Sequence, residues 1–176
     1  MISNNKPEFD RYAESYSEDL LGAMPAALEE DSYFAEYKVR HVAGILGEKK
    51  PARILDFGCG VGRSLGYLKE TFPHAQLWGY DVSADSIQYA KQILPEARLT
   101  ADLTDLHDEQ FDVVFVANVV HHVQPSERIA FLKSCRAFLA DSGMLFVFEH
   151  NPYNPLTRLV FERCPYDKDA SMVFYK

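Results

Sequence analysis

The stretch ILDFGCGVGRS, residues 54–64, places glycine at positions 58, 60 and 62, directly after an apolar run that closes on Asp56. Glycine is used where a side chain would block a ligand or where the backbone needs a positive φ. The helix that follows such a turn offers unpaired N–H groups and the positive end of its dipole. The stretch therefore predicts a strand-to-helix turn that closely approaches a ligand.

The spacing of these glycines separates the possible ligands. A dinucleotide fingerprint reads G-x-G-x-x-G, and the position of its third glycine is occupied here by Arg63. A phosphate-binding Walker loop would need Gly-Lys-Ser/Thr, which does not follow. A plain tight turn remains an alternative at this point.

From Arg53 onward, apolar strand-like runs alternate with amphipathic helical segments, which predicts a parallel sheet covered on both faces. We expect an α/β fold with a three-layer, Rossmann-like sheet, whose ligand lies beyond the carboxyl ends of the strands. The predicted strands are RILDFG, AQLWGYD, ARLTA, FDVVFVAN and GMLFVFEH, and the predicted helices are VGRSLGYLKETF, SADSIQYAKQIL and PSERIAFLKSCRAFLA.

Residues 8–46 have a different, helical periodicity, which Pro25 divides into two helices. We therefore predict a helical extension or lid over residues 1–50 and a ligand-binding domain over residues 51–176. The apolar positions that define the extension are Phe9, Tyr12, Ala13, Tyr16, Leu20, Phe34, Tyr37, Val39, Val42 and Leu46.

The composition and net charge of the chain indicate which classes of partner are unfavourable. The chain has 176 residues, 47% of them hydrophobic, and a net charge of −8. This predicts a compact core, with nucleic acid and anionic membrane as unfavourable partners. The start MISNNKPEFD lacks the form of a signal peptide, so we expect a cytoplasmic protein. The widely spaced Cys59, Cys135 and Cys164 predict reduced thiols.

Acidic residues close the next two predicted strands. Asp81 follows Asp56 by 25 residues (81 − 56) and could accept both hydroxyls of a ribose, or cap the next helix, a role that Ser83 could also fill. Asp102 could accept from the exocyclic amine of a purine beside Leu103. Alternatively, it belongs to a solvated acidic loop with Asp105, Asp108, Glu109 and Asp112.

The motifs ILDFGCGVGRS, GYDVS, TADL and VANVVHHV together resemble class I S-adenosylmethionine-dependent methyltransferases over about residues 53–150. The resemblance implies that S-adenosylmethionine is the cofactor and S-adenosylhomocysteine the product. It also implies cofactor contacts from Asp56 and the three glycines, the ribose on Asp81 and Val82, adenine on Asp102 and Leu103, and the methionine part on Asn118. Tyr12 and Tyr16, in FDRYAESY, would belong to a lid helix or else pack in the core.

The methyl acceptor would arrive beyond the fourth and fifth strands. His121 and His122 are candidate bases for a hydroxyl or carboxylic acid acceptor, although adjacent histidines also commonly pack inside. Glu149, His150 and Asn151, in EHNPYNP, are candidate substrate contacts, with Asx turns at Asn151 and Asn154 as the alternative. We expect no metal site, because no ligand spacing recurs.

The segment after Glu149 has 27 residues (176 − 149), fewer than this family uses for its last helix and antiparallel strand pair. We expect that pair to be missing and the fifth strand to be an open edge. The tail ASMVFYK could pair with this edge, in its own chain or in a neighbour, which predicts a homodimer through residues 145–176.

Three functions follow from these patterns. The first is methyl transfer to a small-molecule acceptor. The second is a nicotinamide-dependent oxidoreductase on a Rossmann sheet, against which Arg63 argues. The third is a non-catalytic module that binds S-adenosylmethionine without a complete acceptor site.

Overall fold

The structure, a computed structural model, describes residues 31–164 and 167–174. Its strands are β1 (Arg53–Phe57), β2 (Gln76–Tyr80), β3 (Arg98–Thr100), β4 (Phe111–Ala117) and β5 (Leu139–Phe148). Its α-helices are α1 (Asp31–Leu46), α2 (Arg63–Thr71), α3 (Ala84–Ile93), α4 (Arg128–Ala137) and α5 (Pro155–Arg163), and short 3₁₀ turns span Leu103–Leu106 and Val120–His122.

The five strands form one sheet in the order β3-β2-β1-β4-β5. All pairs are parallel, and no antiparallel pair occurs among the described residues. Strand order reverses between β1 and β4, and ligands of such sheets bind at the carboxyl ends of the strands beside this reversal. The predicted α/β sheet is confirmed.

Side chains at alternating strand positions point to opposite faces of the sheet, so they pack into two hydrophobic cores, one on each face. On one face, Ile54 and Phe115 pack with helices α1, α2 and α3. On the other face, Leu55 and Val114 pack with Cys135 of α4 and with the 3₁₀ turns. The predicted three layers are therefore confirmed, and the positions of the strand ends follow from them. All three cysteines are buried, and no disulfide joins any two of them.

Helix α1 is the described part of the N-terminal extension. Val39 and Val42 are fully buried, but Phe34 and Tyr37 are 42% and 55% exposed. Tyr37 precedes Val39 by two residues, which places it on the opposite side of the helix. The predictions for residues 1–30, including Tyr12, Tyr16 and the break at Pro25, lie outside the described residues. The domain division stays a prediction.

The boundary between α4 and β5 differs from the prediction. The sequence predicts helix through Ala140, yet β5 begins at Leu139. The reason is pairing: Leu139 is opposite Phe111 of β4, and the Phe111 N–H donates to the Phe138 carbonyl at 2.8 Å. The strand register then shifts before Val113 pairs with Met144.

The described part of the C-terminal tail is not a strand, so pairing of the tail with the β5 edge of its own chain was a wrong prediction. The Ser171 N–H donates to the His121 carbonyl at 3.0 Å, and the Arg128 guanidinium donates to the carbonyls of Ser171 and Met172. These bonds and the packing of Val173 hold the tail against α4 and the turn after β4. The homodimer stays a prediction. Within the described residues, no helix has the length and apolar character needed to span a membrane.

Candidate functional site

The glycine turn after β1 has three residues with positive φ, at 85° for Gly58, 51° for Gly60 and 87° for Gly62. A Cβ on Gly58 would lie 2.4 Å from Cγ2 of Val119, and one on Gly62 would lie 3.1 Å from Cβ of Ala90. A Cβ on Gly60 would meet nothing within 4 Å. Packing therefore excludes a Cβ at Gly58 and leaves little room for one at Gly62, whereas Gly60 borders open space.

The carboxylate of Asp81 joins the glycine turn to the start of α3. Its Oδ2 accepts from the Gly60 N–H at 2.8 Å, and its Oδ1 accepts from the Ser83 N–H at 2.9 Å. The Ser83 hydroxyl accepts from the Ser86 N–H at 3.1 Å and caps α3. The cap is thus Ser83, and the carboxylate of Asp81 lies between the glycine turn and the start of α3.

Asp56 at the end of β1 is 2% exposed, and its Oδ2 has no hydrogen-bond partner among the described residues. Burial, together with the charge of Asp81, raises the pKa of Asp56 to about 8. Lys38 of α1 lies close enough for its charge to oppose this shift. Burial lowers the pKa of Lys38 to about 8, although the charges of Glu149 and Asp56 act in the opposite direction.

Asp102 and its neighbours lie at the rim of the site. The carboxylate of Asp102 accepts from the N–H and hydroxyl of Thr104 at 2.9 and 2.7 Å, and these bonds lower the pKa of Asp102. It is an exposed cap of the 3₁₀ turn. Val82 and Leu103 are 53% and 44% exposed, so apolar side chains border the ends of β2 and β3.

Asn118 directly follows β4 and has a φ of 58°. Its N–H donates to the Phe148 carbonyl at 2.8 Å, which ties the end of β4 to the end of β5. Asn is among the non-glycine residues that adopt this left-handed conformation most readily. The sequence thus permits an abrupt turn where β4 reaches the site.

His121 is 2% exposed and lies between two carboxylates. Its Nδ1 is 2.6 Å from Oε2 of Glu149, and its Nε2 is 3.3 Å from Oδ1 of Asp167. Burial opposes the charged imidazolium, but hydrogen bonds with Asp167 and Glu149 raise the pKa of His121 overall. The other oxygen of Glu149, Oε1, accepts from the N–H groups of Val119 and Val120 at 2.9 and 2.6 Å. Glu149 thus has internal partners on both oxygens.

His122 and His150 stand beside this buried histidine. The ring centroids of His122 and His150 are 4.1 and 5.0 Å from that of His121. Nε2 of His122 lies 3.5 Å from Oδ1 of Asp167. Burial and the charge of His121 lower the pKa of both His122 and His150 to about 4. Three histidines and two carboxylates therefore share one locality.

The two asparagines of EHNPYNP form the predicted Asx turns. Oδ1 of Asn151 accepts from the Tyr153 N–H at 3.0 Å, and Oδ1 of Asn154 accepts from the Leu156 N–H at 2.9 Å. Asn154 thereby caps α5, with Pro155 in the first turn. The segment is thus built to direct the chain from β5 into α5.

The sequence missed two charged residues of this region. Lys38 stands four residues before the buried Val42, so a charge on the apolar row of a helix was the available signal. Asp167 had no comparable signal, because only the folded tail brings it to His121. The described strand ends do bring together Asp56, Asp81 and the glycine turn on one side, and His121, His122, Glu149 and His150 on the other.

Comparison with known proteins places these features in a family. A family model described as a methyltransferase domain matches residues 55–145. Demethylmenaquinone methyltransferase of Thermotoga maritima is 30% identical over 150 residues, which are 83% of this chain and 61% of that protein. Trans-aconitate 2-methyltransferase of Methylobacterium nodulans is 32% identical over 106 residues, or 55% of this chain and 41% of the relative. The chain thus spans less than two thirds of these relatives.

A solved structure supports the same fold. The plantazolicin methyltransferase, crystallised with a triazolic substrate analogue and S-adenosylhomocysteine, superposes with a TM-score of 0.61 at 18% identity. The superposition covers 88% of this chain and 62% of the other. At this identity the likeness concerns the fold alone.

Proposed function

We propose, from the premise that the chain belongs to the class I S-adenosylmethionine-dependent methyltransferases, that it transfers a methyl group from this cofactor to a small-molecule acceptor. The membership agrees with the resemblance predicted from the motifs, and S-adenosylmethionine is the cofactor of the family. Both this membership and Arg63 argue against the alternative of a nicotinamide-dependent oxidoreductase.

One observation carries the proposal. Asp56 is buried beneath the glycine turn with an oxygen that lacks a partner among the described residues, and Gly60 nearby borders open space. A buried acceptor without a partner is costly unless a ligand satisfies it. S-adenosylmethionine is cationic and carries no phosphate, so a site of carboxylates and bare backbone fits it.

The other predicted residues fit distinct parts of the cofactor. The carboxylate of Asp81, beside Val82, suits the ribose hydroxyls, and the exposed side chain of Leu103 beside Asp102 suits an adenine ring. Asn118 would hold the methionine part through its carbonyl. Tyr12 and Tyr16 stay predicted lid residues.

When bound, S-adenosylmethionine supplies a methyl group already activated on a positively charged sulfur. The contribution of the chain is then to align the acceptor with that methyl group, since alignment supplies much of the rate. Of the two predicted bases, His121 has both ring nitrogens beside carboxylates, whereas the side chain of His122 is 23% exposed. His122 is therefore the better candidate to contact an acceptor.

The acceptor class is supported by the names of the relatives. Demethylmenaquinone and trans-aconitate are both small molecules, one a quinone and the other a carboxylate. Glu149 and Asn151 have internal hydrogen-bond partners, so His122 and His150 are the predicted residues better suited to discriminate acceptors.

Two measurements test the proposal. Calorimetry of the full chain should detect saturable binding of S-adenosylmethionine and S-adenosylhomocysteine, with no comparable binding of NAD. Label from methyl-tritiated S-adenosylmethionine should then transfer to a member of a panel of quinones and carboxylic acids. Absence of cofactor binding would overturn the proposal, and binding without transfer to any compound would favour the non-catalytic module.

A further inference from the structure

Three of the six histidines of the chain gather at the ends of β4 and β5. Ligand-capable atoms of His121, His150 and Asp167 all lie within 4.8 Å of one another, and His122 adjoins them. Two histidines and a carboxylate form a donor set typical of first-row transition metals, because imidazole nitrogen and carboxylate oxygen suit these ions.

Two of the distances in this cluster match the spacing of ligands around one ion. Tetrahedral ligands at about 2.0–2.1 Å from zinc are about 3.3–3.4 Å apart. Nε2 of His121 lies 3.3 Å, and Nε2 of His122 lies 3.5 Å, from the same oxygen of Asp167. A charge-assisted N–H···O bond is usually shorter, about 2.7–2.9 Å. The separations therefore suit two ligands of one ion better than two strong hydrogen bonds.

Glu149 supplies the orientation that a metal-binding histidine requires. Metal-bound histidine usually donates its other ring N–H to a carboxylate or carbonyl, which fixes its tautomer and direction. Nδ1 of His121 lies 2.6 Å from Oε2 of Glu149, and the carboxylate is itself fixed by the N–H groups of Val119 and Val120. With the Nδ1 proton directed at Glu149, Nε2 would have a lone pair available for an ion held beside Asp167, in place of the hydrogen bond to that carboxylate.

We propose that His121, His150 and Asp167 bind a divalent transition-metal ion, with His122 as a further ligand and Glu149 as the positioning residue of His121. Such an ion would offset the charge of the buried carboxylate of Asp167. The site lies beyond Asn118, outside the residues proposed to hold the cofactor. It shares His122 and His150 with the residues proposed to contact the methyl acceptor, but the binding of an ion can be measured without methyl transfer.

The test uses the full chain after dialysis against a chelator, without S-adenosylmethionine. Zn²⁺ should bind with one ion per chain in calorimetry and raise the midpoint of thermal unfolding. Co²⁺ should give the intense visible absorption of a four-coordinate nitrogen–oxygen site. Failure of both ions to bind saturably would overturn the proposal, whatever the outcome of cofactor binding.

Substitutions of single residues identify which side chains bind the ion. Asp167→Asn and His150→Ala should each weaken Zn²⁺ binding at least tenfold, and Glu149→Gln should weaken it by about 10–100-fold through His121. His107→Ala is the matched control, because His107 forms a surface pair with Asp108 at 2.8 Å and is 81% exposed. Equal affinity in Asp167→Asn and the control would overturn the assignment.

Circular dichroism checks that each variant is folded. If Asp167→Asn or His150→Ala fails to fold, the more exposed His122 replaces it in the test. His122→Gln should then change the Co²⁺ spectrum, and an unchanged spectrum and affinity would exclude His122 as a ligand and contradict the proposal.

Discussion

Single glycines in the turn after β1 differ in what a side chain would meet. In Gly58→Ala the Cβ would lie 2.4 Å from Cγ2 of Val119, at a φ of 85°. We expect a loss of about 1–2 kcal/mol in unfolding free energy from the left-handed backbone and about 1–3 kcal/mol from overpacking. In Gly60→Ala only the backbone contribution should appear. Urea unfolding of both variants measures the difference.

Gly60→Ala should nevertheless lose cofactor affinity, because its methyl group enters space that the proposed site reserves for the ligand. The structure refines the prediction made from sequence, where the glycines were treated alike. Calorimetry with S-adenosylhomocysteine on the folded variant is the measurement. Full affinity in Gly60→Ala would contradict a cofactor at this turn.

The carboxylate of Asp81 has a structural and a proposed binding role, which two substitutions separate. Asp81→Ala removes the acceptor of both the Gly60 and Ser83 N–H bonds, whereas Asp81→Asn retains one oxygen. Both should weaken cofactor binding by about 1.5–3 kcal/mol through loss of a charge-assisted contact, and Asp81→Ala should also lower stability.

Calorimetry and urea unfolding follow the two effects separately. Asp108→Asn is the control, because Asp108 is an exposed acid in the loop after β3. Equal cofactor affinity in wild type and Asp81→Asn would mean that the ribose lies elsewhere.

At the scale of elements, the sequence predicted the strands that are buried on both faces of the sheet, because these strands are continuous apolar runs. β1 and β4 therefore lie where the sequence placed them. The start of β5 was not predictable, since the helical pattern of residues 125–140 continues past Phe138 and only pairing of Leu139 with Phe111 ends it. Local periodicity cannot report a partner that is distant in sequence.

The residues of the candidate site also include some that the sequence could predict and some that it could not. The residues at strand ends could be inferred, because parallel strands bring their carboxyl ends to one edge. Asp167 could not, since its place depends on the path of the tail, which Arg128 holds through bonds to Ser171 and Met172. The alternative that placed Asp112 in a solvated acidic loop does not hold for this residue, because its carboxylate accepts hydrogen bonds at the start of β1.

The bonds of Asp112 carry a prediction for the pairing of β1 with β4. Its Oδ2 accepts from the N–H groups of Ala52 and Arg53 at 2.7 and 2.9 Å. Asp112→Ala should lower the unfolding free energy by about 1–3 kcal/mol, because two N–H groups lose a charged acceptor. Asp141→Ala, at an exposed position in β5, is the control. Urea unfolding with equal midpoints for the two variants would contradict this role.

At the scale of the whole molecule, the site is assembled from distant parts of the chain. Helix α1 brings Lys38 near Asp56 and Glu149, and the tail brings Asp167 to His121. These groups are largely buried, so their charges interact and their titration acts on the stability of the fold. The predicted homodimer concerns a second copy of the chain, and light scattering of the full chain would measure it.

The last prediction concerns stability against pH. The pKa of Asp56 is 3.8 as a reference and about 8 in the fold, mainly through burial. Between these values the folded chain binds the proton and the unfolded chain does not, so the unfolding free energy should fall as pH rises from about 4 to about 8. The pKa of Lys38 is 10.5 as a reference and about 8 in the fold. Above about pH 8 the unfolded chain therefore binds more protons at this residue than the folded chain, and the unfolding free energy should rise with pH.

Asp56→Asn removes the first titration and keeps the size of the side chain. Its unfolding free energy relative to wild type should therefore rise progressively between about pH 4 and pH 8 and then level off. Urea unfolding at intervals across this range measures the difference, with Asp141→Asn as a control for the same acid-to-amide change at an exposed position. Parallel curves for Asp56→Asn and wild type would show that Asp56 is charged in the fold, and hence that its buried oxygen has a partner.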